Sequence, residues 1–412
     1  MRFLYSLGIY LLSAALKVIA IFNPKIRLGV AGRKETFQVL EEDLAPDLAR
    51  MWFHCASLGE YEQGLPVFEA LKKRYPEHQI VLSFFSPSGY EHKKEGSIAD
   101  VVVYLPLDTP ANAQHFVKLV APDICVFTKY DLWPNFLRAL RGSTSSCYLI
   151  SALFRPSQPY FKWYGGMMRK GLSTFTHIFT QNKESEQLLN SIGLTSVSHA
   201  GDTRFDRVYA QLQMNNSLPF LETFKNEQRT VLFGSSWAED EALFMSFINE
   251  HSFKDLKFII APHEVTERTT LRLKKKINRP MVTYSQLDSV NDQDLKAAEV
   301  FIMDTIGYLS KAYSYGDIAY VGGAAGHTGL HNILEPAVFG IPVFIGQNYQ
   351  RFPEAVALVE LGGVCSVSSS LDFNAELTNL LVDQSKIDHM GSINFKFIEE
   401  RSGAVEKIMS VI

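Results

Sequence analysis

In residues 319–347, AYVGGAAGHTGLHNILEPAVFGIPVFIGQ, an apolar strand runs into a turn holding Gly322, Gly323, Gly326 and Gly329, and a helix is expected to open near Leu330. Glycines let a ligand approach the backbone, and a helix start aims unpaired N–H groups and a positive dipole end at it, so the pattern suits an anion. A tight β–α connection that binds nothing is the plain alternative. Asn332 and Glu335, three apart, would share a helix face and could reach a base or ribose hydroxyls; equally, Glu335 could complement the helix dipole while Asn332 bonds the turn. His327, His331 and Glu335 stand at i, i+4 and i+8 like a metal triad, but the glycines place His327 before the helix, which disfavours a metal.

Three further turns follow apolar runs in the same half of the chain: Gly234-Ser235-Ser236, Pro262-His263-Glu264, and Asp304-Thr305-Ile306-Gly307. Four such turns on one sheet edge favour a nucleotide or phosphate pocket. In the first half Ser57-Leu58-Gly59-Glu60 ends a strand and opens a helix, expected over 61–74, in which Pro66 is tolerable within the first turns. Glu60 can serve the helix dipole or act as a general base, and position alone leaves both open. His54 and His263 are similarly ambiguous. Asp292 and Asp294 could hold a divalent cation, although solvated carboxylates in a polar loop are the commoner case.

These residues need scaffolds, and the chain supplies them by alternation. From Met51 onward short apolar runs (MWFHCA, QIVLSFF, DVVVYL, ICVFT, CYLIS, HIFT) alternate with helical stretches; the pattern fades over 208–229 and restarts with TVLFGSS. Continuous apolar strands between helices mean parallel sheets covered on both faces. The expected fold is α/β with two Rossmann-like, doubly wound domains facing a cleft. Its parts are a membrane-associated helix and basic flank (1–34), an N-terminal domain (35–210), a linker (211–229), a C-terminal domain (230–390) and a last helix (391–412) that could cross back.

The 412 residues suit two domains; 46% hydrophobic and 20% charged residues exclude disorder and a multi-span membrane protein, and a net charge of −4 gives no general attraction to nucleic acid. Cys55, Cys125, Cys147 and Cys365 have no metal spacing and read as buried thiols of a reducing compartment. Residues 3–22 are nearly all apolar, with Ser6, Tyr10, Ser13 and Lys17 on one helical stripe, and Lys25, Arg27, Arg33 and Lys34 follow. A helix with one polar stripe lies on a membrane or against the protein, and the basic cluster favours the cytoplasmic leaflet, so attachment by the N-terminus is expected.

Taken in order behind that helix, HCASLGEYEQG, FRPSQPYFKWYG, GDTRFDRV, GSSW, DTIGYL and GLHNILEPAVFGIPV followed by GQNYQRFPEA resemble the 3-deoxy-D-manno-octulosonic acid (Kdo) transferases over essentially the whole chain. The resemblance implies the GT-B architecture and an inverting glycosyltransferase of lipopolysaccharide assembly. Its donor would be CMP-Kdo and its acceptor the lipid A precursor at the cytoplasmic face of the inner membrane, with no metal cofactor. It implies Glu60 as catalytic base. On the donor side it points to Ser235, Ser236, His263, Thr305, Gly307, Gly322, Gly323, Gly329, Asn332 and Glu335, and on the acceptor side to Ser57, Gly59 and Arg155. Many members carry acidic residues before LWPN, where this chain reads Lys129-Tyr130-Asp131, and Tyr308 stands where glutamate is common. A nucleotide-sugar 2-epimerase is the enzymatic rival, and a non-catalytic membrane-bound glycan-binding protein of the same fold is the rival of another class.

Overall fold

The computed structural model describes residues 2–129 and 132–412, with the Arg2 side chain excepted; Tyr130 and Asp131 lie outside the described residues. The chain forms two compact units, one of residues 1–207 with 401–412 and the other of 208–400.

The first unit is built on a seven-stranded parallel sheet: β1 (Arg50–Cys55), β2 (Gln79–Phe84), β3 (Val101–Tyr104), β4 (Ile124–Thr128), β5 (Ser146–Ala152), β6 (His177–Thr180) and β7 (Val197–His199). Their order is β3-β2-β1-β4-β5-β6-β7. Trp52, Val81 and Phe127 pack on one face and Phe53, Leu82 and Val126 on the other, which is why these strands read as unbroken apolar runs. The second sheet holds β8 (Arg229–Ser236), β9 (Leu256–Pro262), β10 (Met281–Thr283), β11 (Val300–Ile302), β12 (Ile318–Val321), β13 (Val343–Gly346) and β14 (Val364–Val367), in the order β10-β11-β9-β8-β12-β13-β14. All pairings in both sheets are parallel. In each sheet the connections leave the central strands in opposite directions, between β1 and β4 and between β8 and β12. Crevices at such switch points are where this kind of sheet takes ligands.

Several elements differ from the sequence expectations. The helix carrying Glu60 starts earlier, at Leu58, and runs to Arg74, so Pro66 lies well inside it. A proline there frees the carbonyl four residues back. That carbonyl, of Glu62, accepts a hydrogen bond from the Arg207 guanidinium at 2.9 Å. The stretch expected as a linker contains the helix Pro219–Lys225, whose Phe224 packs against Phe301. The Asp292-Gln293-Asp294 loop is the first turn of the helix Asp292–Ala297, with Asn291 as its cap: Asn291 Oδ1 accepts from the Asp294 N–H and its side-chain amide donates to the Asp294 carboxylate.

The C-terminal segment is two helices, Gln384–Glu399 and Ala404–Met409, broken at Gly403 with φ +96°. The Asp206 carboxylate accepts the N–H groups of Gly403, Ala404 and Val405, and Ile408 packs in the core beneath the Glu60 helix. At the other end of the chain the apolar helix Arg2–Phe22 turns at Asn23 into the helix Pro24–Asp43. Tyr5, Ser6, Ile9, Ser13, Leu16 and Ala20 form its half-buried stripe, the Tyr5 hydroxyl donates to Asp108 at 2.8 Å, and Arg27 closes the turn on the carbonyls of Ala20 and Ile21. Its opposite face, with Phe3, Leu4, Leu11, Val18, Ile21 and Phe22, is exposed.

Candidate functional site

At the switch point of the first sheet, β1 ends at Cys55, and Ser57 caps the helix Leu58–Arg74 with extended backbone. Glu60 is the third residue of that helix. Its Oε2 accepts the Ala56 N–H at 2.6 Å, which holds the carboxylate over the carboxyl end of β1 with 9% of the residue exposed. One turn on, Gln63 is buried on the same helix and donates to Asp202 at 2.8 Å; Asp202 in turn pairs with the Arg204 guanidinium at 2.9 Å. The Thr203 hydroxyl bonds the Gln63 carbonyl and meets Ser151 Oγ at the end of β5. GDTRFD is thereby tied to the Glu60 helix. No local pattern in the sequence signals this tie, because the pairing spans 139 residues.

Behind Glu60 the sheet carries a buried polar chain. Trp133 Nε1 donates to His54 Nε2 at 3.3 Å, so the other nitrogen of the imidazole holds its proton and donates to Ser83 Oγ, 2.9 Å away. His54 is thus a buried structural histidine. Gly59 is exposed, with nothing near where a side chain would stand, and Arg155 is exposed on the loop after β5, two strands from β1.

In the second unit β11, β9, β8 and β12 are consecutive in the sheet, so the turns with Thr305 and Gly307, His263, Ser235 and Ser236, and Gly322 and Gly323 share one edge. At the centre, between β8 and β12, Ser235 adopts φ +52°, a left-handed conformation rare for a residue with a side chain. Ser236 is 2% exposed and its Oγ meets no hydrogen-bond partner among the described residues. Leaving a buried hydroxyl unmatched costs roughly 1–3 kcal/mol, so such a group marks a place where a ligand atom is useful. It lies just before the N-terminus of the helix Ala238–Glu250, whose dipole favours an anion.

Trp237 stacks on His263 with ring centroids 4.4 Å apart, and its indole N–H donates to His331 Nε2 at 3.1 Å. Burial, and then the adjacent His263, push the His331 imidazole down to about 4, so it is neutral and accepts that bond. The three rings make an aromatic wall over the ends of β8 and β9. The Nε2 of His331 is thus taken by the indole N–H, and no cluster of three or more metal-binding side chains occurs among the described residues.

The glycine turn is organised differently from the expectation. No helix opens near Leu330; the only helical piece in that stretch is Leu334–Ala337, so the dipole argument fails there. The Gly322 N–H donates to the Gly234 carbonyl and the Gly323 N–H to the buried Asp240 carboxylate at 2.8 Å. A Cβ on Gly322 would stand 2.3 Å from the Ser235 carbonyl oxygen, and one on Gly323, at φ +99°, 2.0 Å from that of Gly329. These glycines are required by the protein's own close packing, and their N–H groups are already engaged. Asn332 donates to Glu335 at 3.1 Å and accepts the Leu334 N–H, so the amide and carboxylate form a local pair just before and within the short helix. On the outer turn the Asp304 carboxylate binds Ser285, and Gly307 has φ +92°.

Residues 25–207 match the family model described as 3-Deoxy-D-manno-octulosonic-acid transferase (kdotransferase). The chain is 25% identical over 408 residues to a 3-deoxy-D-manno-octulosonic acid transferase of Haemophilus influenzae, covering 96% of this chain and 93% of that one. It is 26% identical over 363 residues to the Aquifex aeolicus protein of the same name, covering 85% and 93%. Among solved structures, UDP-GlcNAc 2-epimerase from Neisseria meningitidis bound to UDP-GlcNAc superposes with a TM-score of 0.59 at 16% identity, covering 88% of this chain and 98% of that one; this likeness is one of fold. Two parallel α/β units thus give the chain the architecture shared by GT-B glycosyltransferases and these epimerases. The relatives that match over most of the chain are 3-deoxy-D-manno-octulosonic acid transferases, and residues 25–207 match the model of that family.

Proposed function

We propose that the chain is an inverting glycosyltransferase that moves Kdo from CMP-Kdo to the lipid A precursor in lipopolysaccharide assembly. The observation that carries this reading is the Glu60 carboxylate, fixed by the Ala56 N–H at the switch point of the sheet in the family-matched unit. There it accepts the proton of an acceptor hydroxyl as the oxygen attacks the anomeric carbon of Kdo. The bond to the CMP phosphate breaks on the opposite face, which inverts the centre in one displacement. Ser57 and Arg155 border the acceptor.

On the donor side Ser236 Oγ and the start of the helix Ala238–Glu250 receive the phosphate of CMP, and the Trp237-His263 stack offers a face for the base. Asn332 and Glu335 stand by for the nucleoside hydroxyls. We assign Gly322, Gly323 and Gly329 the shaping of this wall rather than direct contact. Charge on the leaving phosphate is met by dipoles and hydroxyls, and we propose no metal cofactor; His331 and Glu335 already have protein partners, in keeping with that reading. The exposed apolar face of the helix Arg2–Phe22 supports attachment to the cytoplasmic side of the inner membrane, where an acylated acceptor resides.

The test is direct. Purified full-length protein with CMP-Kdo and a tetra-acylated lipid A precursor should yield a product heavier by one or more Kdo units, unchanged in amount by excess chelator. Absence of product overturns the transferase reading, and dependence on added Mg²⁺ overturns the metal-free one.

A further inference from the structure

Beside the N-terminal helices lies a groove of about 430 Å³ whose lining includes none of the residues assigned above to the donor or the acceptor. It runs between the helix Arg2–Phe22, the helix Pro24–Asp43 and the loop after β3. Leu16, Val30, Phe37 and Leu107 give it an apolar lining, Lys17 and Lys34 stand exposed at it, and among the described residues no acidic side chain lines it. Its volume falls in the range of small-ligand pockets, ~300–1,000 Å³. Arg33 also borders it, but its guanidinium already donates to the carbonyls of Gly29, Leu105 and Phe85. The two lysines are thus the cations the groove offers to a ligand.

We propose that this groove holds one acyl chain of an anionic bilayer phospholipid, with the phosphate headgroup against Lys17 and Lys34. The commitment to a bilayer lipid rests on continuity. Lys17 sits on the same helix whose outward face is a row of exposed apolar side chains, so a membrane on that face brings headgroups to the level of the lysine. Charge complementarity selects an anionic headgroup over a zwitterionic one, because two cations meet no carboxylate in the groove. The lipid would act as a wedge between the two helices and the sheet, and fix the angle at which the first unit sits on the membrane.

The inference rests on the membrane half of the proposed function and not on Kdo transfer, so its test reads lipid retention. Full-length protein in mild detergent is offered dioleoyl phosphatidylglycerol, dioleoyl phosphatidylcholine or the tetra-acylated lipid A precursor, and bound lipid is counted by native mass spectrometry. One phosphatidylglycerol should be retained in preference to phosphatidylcholine. Retention should fall roughly fivefold for each of Lys17→Gln and Lys34→Gln, as expected for one cation near an anionic headgroup. Ala111→Trp, which fills the groove from the exposed start of the next helix, should abolish it while sedimentation with liposomes persists. Equal retention of both phospholipids, or retention indifferent to all three substitutions, overturns the proposal. One-for-one displacement of phosphatidylglycerol by the precursor also overturns it, and assigns the groove to the acceptor. Failure of the wild-type protein to sediment with liposomes would instead strike the membrane reading itself.

Discussion

Glu60 and Asp240 occupy the same place in their two units. Each is the third residue of the helix that leaves the central strand at a switch point, where an acid complements the dipole and can reach back to the preceding backbone. Their surroundings separate them. Asp240 is wholly buried and accepts the N–H groups of Trp237, Gly323 and Ala325 and the Tyr320 hydroxyl, so it pins the glycine turn to the sheet. Glu60 retains an exposed edge, is held by the Ala56 N–H, and shares its helix with the Gln63-Asp202-Arg204 chain. The same local rule therefore yields a structural acid in one unit and a candidate base in the other. Burial, complete at Asp240 and incomplete at Glu60, decides which.

That contrast can be broken by stability measurements. Asp240→Asn places an amide donor among groups that all donate, and should cost the second unit about 2–4 kcal/mol in urea unfolding. A loss under 1 kcal/mol would mean the turn does not depend on that carboxylate. Gly323→Ala should cost about 1–3 kcal/mol, because a side chain there meets both an unfavourable φ and the Gly329 carbonyl. A smaller, pH-dependent effect is expected at His331. Its imidazole is held down at about 4 against the usual 6.5, so the unfolded chain takes up the proton first. Stability of the second unit should thus fall as the pH drops from about 6.5 towards 4, and His331→Asn should remove that part of the slope. Equal slopes for the two proteins would contradict the buried neutral imidazole. In the first unit Gly59→Ala, with open space around the site, should raise stability by about 0.5–1 kcal/mol, and a loss would show that the helix start is more tightly packed than it is here.

The alternation of the two sheets was legible because strands buried on both faces leave continuous apolar runs, and the site-bearing turns were legible as small and hydroxyl residues at strand ends. Tertiary bonds hid the rest. The glycine turn read as a ligand cradle because its partners lie outside it, Asp240 far back in the chain and Asn348 past the next strand; once they are in place they take its N–H and carbonyl groups. The helix near Leu330 failed for the same reason, since the His331 N–H returns to the Gly322 carbonyl. Pro66 looked like a helix-start residue, and only Arg207, distant in sequence, shows how an internal proline is accommodated. The Trp237-His331 bond left no spacing signal at all.

The central claim is that Glu60 is the base, and turnover of Glu60→Gln tests it most directly. With CMP-Kdo and the lipid A precursor at saturation, kcat should fall by about 10²–10⁴-fold, the usual worth of a positioned general base, while the CMP dissociation constant and the thermal midpoint stay near those of the wild type. Turnover at the wild-type rate with unchanged CMP binding would contradict the assignment.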